Sequence, residues 1–338
     1  MSDDTDIGTA DTMRERAGES HLKLWLLLRA NRLVVAGVLT AVVFVCFVVA
    51  VTVLPPSFAA QVAAGDMIDT LFSTMITVIV TGTTLVVTIG QLVISQEEGP
   101  LGDQRQRMSG SMDARDFTEE LIGSPSPTDP AAFLSQLIGV AAKEARSLRD
   151  AVEGTADEEI REEVTTFANS VVGNAETVRD QLEGAQFGSF DVVFAALNFN
   201  YGWKIFQVER IANDHAEQLG EREHEILAEL KTALSMFAPA REHIKTLYFQ
   251  WALINLSQMI LYAAVPALII SGIMVGVVDV ATFPGRTLGV DDITLVVGGA
   301  FAVTLLPFML FVSYVLRILT VAKRTLAIEP LILRESQR

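Results

Sequence analysis

Residues 66–98 read DMIDTLFSTMITVIVTGTTLVVTIGQLVISQEE, and this stretch decides the fold. Its interior is uncharged and apolar for longer than the roughly 20 residues a membrane-crossing helix needs. Within it Thr70, Thr74, Thr77, Thr81, Thr84, Thr88, Gln91 and Ser95 recur at alternating spacings of four and three. On an α-helix that spacing keeps them in one line along one face. Asp66 and Glu98 extend the line by one step at each end, with Asp69 and Glu97 close by. At 1.5 Å per residue the line is roughly 37 Å long. It therefore covers the hydrocarbon core and reaches both headgroup layers.

The chain around this stretch is also apolar. Its 338 residues are 50% hydrophobic with a mean hydropathy of +0.39, too high for an ordinary soluble protein. Three more uncharged segments are long enough to span, at about 33–54, 248–278 and 293–316. The first is not a cleaved signal: it follows some thirty residues of mixed charge, and no small-residue cleavage pattern comes after it. The expected fold class is an all-α integral membrane protein. Four transmembrane helices carry a helical cytoplasmic domain inserted between the second and third.

The expected boundaries follow composition. Residues 1–20 form a disordered acidic N-terminus, and 21–98 an interfacial helix with transmembrane helices 1 and 2. Residues 99–247 form the acidic helical domain, 248–322 transmembrane helices 3 and 4, and 323–338 a basic tail. Arg29, Arg32, Arg105, Arg107, Arg241, Lys245, Lys323 and Arg324 flank the spans on one side, against Arg286 alone on the other. The positive-inside rule then places both termini and 99–247 in the cytoplasm of a multi-pass cell-membrane protein.

Inside the inserted region the spacing predicts linkers over 99–112 and 123–130. Helices are expected from Pro130, over 157–182 and over 190–219, and a long helix from Glu221 into the third span. That span carries Asn255, Gln258 and Tyr262 for bonds to neighbouring helices. It also carries Gly272 and Gly276 at a close-packing spacing.

Residues 96–247 hold 28 Asp plus Glu against 14 Lys plus Arg, which accounts for nearly all of the net charge of -16. An acidic, lysine-poor surface resembles those of proteins from salt-rich cytoplasm. It also disfavours nucleic acid as a partner. Cys46 is the single cysteine and lies mid-span, so it is read as a packing residue. No P-loop, Rossmann glycine pattern, nucleophile elbow or zinc-ligand spacing occurs, so neither an enzyme, a cofactor nor a metal site is expected. On a continuous helix Glu217, Glu221 and His224 would share a face, which an acidic solvated helix produces by composition alone.

A polar line on one helix encloses a path only when several copies surround an axis, so a cyclic homo-oligomer in the lipid bilayer belongs to the same expectation. Asp66, Asp69, Glu97 and Glu98 would then form carboxylate rings that concentrate inorganic cations at both ends of a hydroxyl-lined pore. The competing expectation is a non-conducting scaffold or signalling protein whose acidic domain binds a partner. Two spans, a large helical domain and two more spans, with the second span as pore candidate, resemble bestrophin-type channels in topology. The hydroxyl line and acidic ends differ from what an anion pore needs.

The charge imbalance has a measurable consequence. Carboxylates in such excess repel one another unless salt shortens the screening distance to about 3 Å near 1 M. A fragment covering residues 99–247 should lose helical circular dichroism on dilution from molar to millimolar salt. An unchanged spectrum and unfolding temperature would contradict the halophilic reading.

Overall fold

A computed structural model of the chain describes residues 25–55, 57–97, 100–155, 157–186 and 188–325. It is almost entirely helical. After a π-helical turn at Trp25–Arg29 come α1 (Arg32–Val53), α2 (Phe58–Ala63), α3 (Met67–Glu97), α4 (Leu101–Ile122), α5 (Pro130–Val152) and α6 (Glu158–Leu182). The chain continues with α7 (Asp191–Leu197), α8 (Tyr201–Asp214), α9 (Glu221–Val277), a hairpin of β1 (Arg286–Thr287) and β2 (Val290–Asp291), α10 (Asp292–Thr304) and α11 (Leu306–Thr325). Among the described residues α1, α3 and α9 are each long and apolar enough to cross a membrane. α10 and α11 reach that length only together, across a bend of 43°.

Two compact units separate. One comprises Ala30–Glu98 and Gln250–Thr320, the other is built on Gly99–Phe249, and the 57-residue helix α9 contributes to both.

In the apolar unit, α2 packs Phe58 and Val62 onto Ile68 and Phe72 of α3, Met274 of α9 and Val297 of α10. A second cluster joins Ala36 of α1, Val86 of α3, Leu256 and Ile260 of α9, and Leu310 and Tyr314 of α11. Packing density holds such a unit together, because lipid tails are as apolar as leucine and hydrophobicity alone gives no reason to associate. Gly298 is a close-packing point: a Cβ there would fall 2.8 Å from the Phe47 ring. The hairpin turns at Leu288 and Gly289, whose φ values of 52° and 82° are the left-handed pair of a type I′ turn.

In the acidic unit, local signals set the helix ends. Asp129 caps α5 by accepting from Ala132 N at 2.8 Å, with Pro130 in the first helical position. Asp157 does the same for α6 through Glu159 N and Ile160 N. Gly123, at φ 74°, ends α4. α5 buries Leu134, Leu137, Ile138 and Leu148, and α6 packs against it with Ile160, Val164, Val171 and Val178 buried. Inside lies a charge: Lys204 is 0% exposed. Its Nζ donates to Asn174 Oδ1 at 2.9 Å and sits 5.1 Å from the centre of the Phe199 ring. Asn174 in turn donates to the Asn198 carbonyl, so the cation is held by a polar network running through α6, α8 and the turn between α7 and α8.

Several sequence expectations need correction. Residues 101–122 are helix, where a linker was expected over 99–112. The helix expected over 190–219 is two, α7 and α8, divided at Asn198–Asn200, and residues 215–220 are turn. The premise of a shared Glu217, Glu221 and His224 face therefore fails. Instead His215 Nε2 lies 2.8 Å from Glu163 Oε2 of α6, and His224 Nδ1 lies 2.9 Å from the Gly220 carbonyl. Gly272 and Gly276 meet nothing within 4 Å of a Cβ, so among the described residues no helix packs on them. Cys46 is exposed rather than packed. The N-terminus 1–20 and the tail beyond 325 lie outside the described residues.

The acidic unit contains an exposed carboxylate whose ionisation opposes folding only weakly, because solvent screens it. Partial desolvation, reinforced by Glu144 alongside, raises the pKa of Glu229. The folded state then holds this proton to higher pH than the unfolded chain does. The resulting cost to stability is present above the folded pKa and relieved as pH falls through it. Glu229→Gln should raise the unfolding temperature of the full chain at pH 7, with the gain shrinking to nothing below the ordinary carboxylate range. An equal gain at every pH would assign the effect to something other than ionisation.

Candidate functional site

α3 has four faces, and the structure distinguishes them. Ile68, Phe72, Met75, Ile79 and Val86 are buried, and Gly90 lies in the same stripe. At 100° per residue that stripe points directly away from the hydroxyl line. Thr70, Thr74, Thr77, Thr81, Thr84, Thr88, Gln91 and Ser95 are all exposed. The line is thus no packing seam within this chain. The two flanks are apolar and largely exposed as well, with Val78, Leu85 and Leu92 on one side and Val80 and Ile94 on the other.

Gly90 lets α3 lie close to α9, since a Cβ there would come 3.1 Å from Ser257 Oγ. Ser257 spends its hydroxyl on the Leu253 carbonyl at 2.9 Å. With the buried stripe clamped at Phe72, at Val86 and at this close approach, rotation of α3 is fixed and the hydroxyl line must face outward.

Five of the seven hydroxyls on the line bond back to their own helix. Thr74, Thr84 and Thr88 donate to the carbonyl four residues back at 2.7, 2.9 and 2.9 Å, and Thr77 does so at 3.2 Å. Ser95 donates to Leu92 O at 2.8 Å. Each donor is spent on its own helix, which leaves the oxygen lone pairs directed outward. At Thr74, Thr77, Thr84, Thr88 and Ser95 the face therefore offers acceptors. Asp66 and Asp69 are exposed at its start, and the Asp66 carbonyl accepts from Thr70 N at 2.9 Å. Glu98 and the side chain of Glu97 lie outside the described residues.

A second polar cluster escaped the sequence reading. Arg32, a flank charge by sequence, is 4% exposed. Its Nε and Nη2 donate to the Ala30 carbonyl at 3.0 and 2.6 Å, and its Nη1 to the Ser313 carbonyl at 3.1 Å. Arg317 Nη2 donates to the same Ala30 carbonyl at 2.7 Å. Together they tie the start of α1 to α11. Nearby in sequence, Asn255 Nδ2 donates to Tyr314 OH at 2.9 Å, whereas Gln258 and Tyr262 are exposed. Nothing in the spacing of Arg32 and Ser313, 281 residues apart, could have announced the contact.

In the acidic unit Arg241 lies 4.8 Å from the Tyr201 ring centre and donates to Glu242 at 2.8 Å. Burial lowers the Arg241 pKa. Burial alone would raise that of Glu242, and the bonds from Lys245 and Arg241 outweigh it. Among the described residues no group of three or more His, Cys, Asp or Glu side chains could hold a metal ion.

These features define a helical protein with three helices long and apolar enough to cross a membrane, one of which presents a polar face outward. The chain belongs to a family of unknown function, DUF7972, whose model matches residues 1–338. Neither a curated protein nor a solved structure matches it.

The two central glycines of α3 separate packing from exposure. Gly90→Leu must displace Ser257 and should cost about 1–3 kcal/mol, as overpacking does. Gly82→Ala meets nothing within 4 Å and should be neutral or stabilising by up to about 1 kcal/mol. Thermal unfolding in lipid nanodiscs reads both, and equal effects would mean that α3 is rotated from the position described.

Proposed function

We propose that the protein is a homo-oligomeric, cation-permeable channel whose pore is lined by α3. The observation that carries this reading is the exposure of all eight polar side chains on the face opposite the buried stripe. In the bilayer a water-filled axis between copies gives an exposed polar row of that length a surface to face. The apolar flanks at Val78, Leu85, Val80 and Ile94 suit contact with neighbouring copies or lipid on either side of the axis. Hydroxyls whose protons are turned inward offer acceptors to a passing ion, which favours cations over anions. Asp66 and Asp69 at one mouth, with Glu97 and Glu98 at the other, add to that preference.

In this reading four spans cross the cell membrane: α1, α3, the later half of α9, and the bent pair α10 and α11. Both termini and residues 99–247 are cytoplasmic, on the side where Arg105, Arg241 and Lys245 lie in sequence. The domain serves assembly or gating.

A second reading draws on the same hydrogen bonds. Hydroxyls satisfied by their own helix can also rest dry against another copy, which would make the protein a non-conducting scaffold with an acidic partner-binding domain.

Cysteine accessibility separates the two. With Cys46 replaced, single cysteines at Thr77, Thr81, Thr84 and Thr88 should react with small charged thiol reagents in the assembled protein, and those at Val78, Leu85 and Val87 should not. The reactive species is the thiolate, which forms only where water reaches. Neutralising Asp66 and Glu98 should weaken cation preference in a reconstituted flux measurement. Silence along the line in a demonstrably oligomeric sample would favour the scaffold.

A further inference from the structure

An apolar crevice of about 180 Å³ opens beside the middle turns of α3. Its wall includes Val78, Gly82 and Leu85 of α3, Ile260 of α9, and Leu305 and Phe308 at the α10–α11 break. No charged side chain lines it. Thr304 in the wall already donates its hydroxyl to the Phe301 carbonyl at 2.8 Å. The size is close to that of apolar cavities of about 150 Å³ that stay dry and take up a benzene-sized guest. Gly82 keeps the α3 side open, because a Cβ at that position would meet nothing within 4 Å.

Three facts together specify the occupant. Apart from the hydroxyls of Thr83 and Thr304, of which the second is already donated to Phe301, the lining is apolar, and it has no charge to attract a headgroup. Val78, Leu85 and Phe308 are exposed at the mouth, so the crevice is open to the surroundings. Its α3 residues lie near the centre of Met67–Glu97, so in a helix that crosses the bilayer the mouth opens at hydrocarbon depth. We infer that the crevice binds the acyl chain of a membrane lipid, wedged between α3 and the break that joins α10 to α11. The inference rests on these helices crossing a bilayer and needs neither a ring of copies nor conduction. Because the walls stand on both sides of Leu305, a chain in the crevice braces the 43° bend against α3.

Ile260 provides the readout. It lines the crevice and is otherwise buried, so only a molecule that enters can touch it. The full chain is reconstituted in nanodiscs of phosphatidylcholine bearing a diazirine midway along one acyl chain, irradiated, and mapped by peptide mass spectrometry. Ile260 should be labelled several-fold above Ala267, which is equally buried on the same helix and lies outside the crevice. Gly82→Leu, which places a side chain in the opening, should abolish that excess while exposed Val42 of α1 labels as before. Decane added to the unsubstituted protein should compete to the same end, so the test survives a variant that folds poorly. Ile260 at the level of Ala267, or an excess that neither Gly82→Leu nor decane reduces, overturns the inference. A silent Ile260 in protein whose Thr81→Cys variant reacts with charged reagents would remove the lipid site and leave the channel reading standing.

Discussion

In hydrocarbon every polar group must find its partner inside the protein, and a helix such as α3, five of whose hydroxyls bond back to its own carbonyls, is suited to that constraint. The remaining structure follows from this arrangement. A threonine satisfied in this way no longer needs a neighbouring helix, so the polar line can be left outside while the opposite stripe is packed. Phe72, Met75, Ile79 and Val86 supply the packing, and Gly90 supplies the close approach to α9. Were the hydroxyl protons not spent locally, each would cost up to a few kcal/mol in hydrocarbon unless something else accepted it. The polar face would then have been driven inward, and the apolar one outward.

The fold was largely legible because hydropathy and capping are local. Asp129 with Pro130, Asp157 and Gly123 each mark a helix end by a mechanism confined to a few residues. α4 was missed for an equally physical reason. It is polar nearly all round and carries Gly102 and Gly110, so it has no apolar stripe for periodicity to detect. Its C-terminal end is secured instead by Arg115 and Glu119, which pair at 3.1 Å and also engage Ser126. The division of 190–219 had a signal in Asn198 and Asn200. The apolar residues on both sides of that turn are buried, and this continuity masked the break.

The candidate face was only half legible. Its period can be counted directly, but three of the four faces of α3 are apolar and chemically alike. Sequence alone gives no reason for Ile79 to be buried and Val78 exposed, since the choice depends on where Phe72 meets α2 and where Val86 meets α11. Long-range polar contacts were still less accessible. Lys204 is enclosed with Asn174, and no local pattern marks this because its partner comes from another helix.

The basic residues on which the proposed orientation rests also illustrate how one side chain serves two levels of structure. Arg32 is engaged by carbonyls, one of which it shares with Arg317, and Arg241 by Glu242 and the Tyr201 ring. A buried guanidinium held by several fixed acceptors cannot be exchanged for an ammonium without losing its fork of donors. Neutralising Arg32 would therefore change two things at once, the charge count at the membrane boundary and the tie between α1 and α11. Exposed Arg105 contributes to the count with far less structural engagement. The orientation signal is cleanest where the structure does least with the residue, and the residues that bind the helices together are the ones whose charge the sequence read most simply.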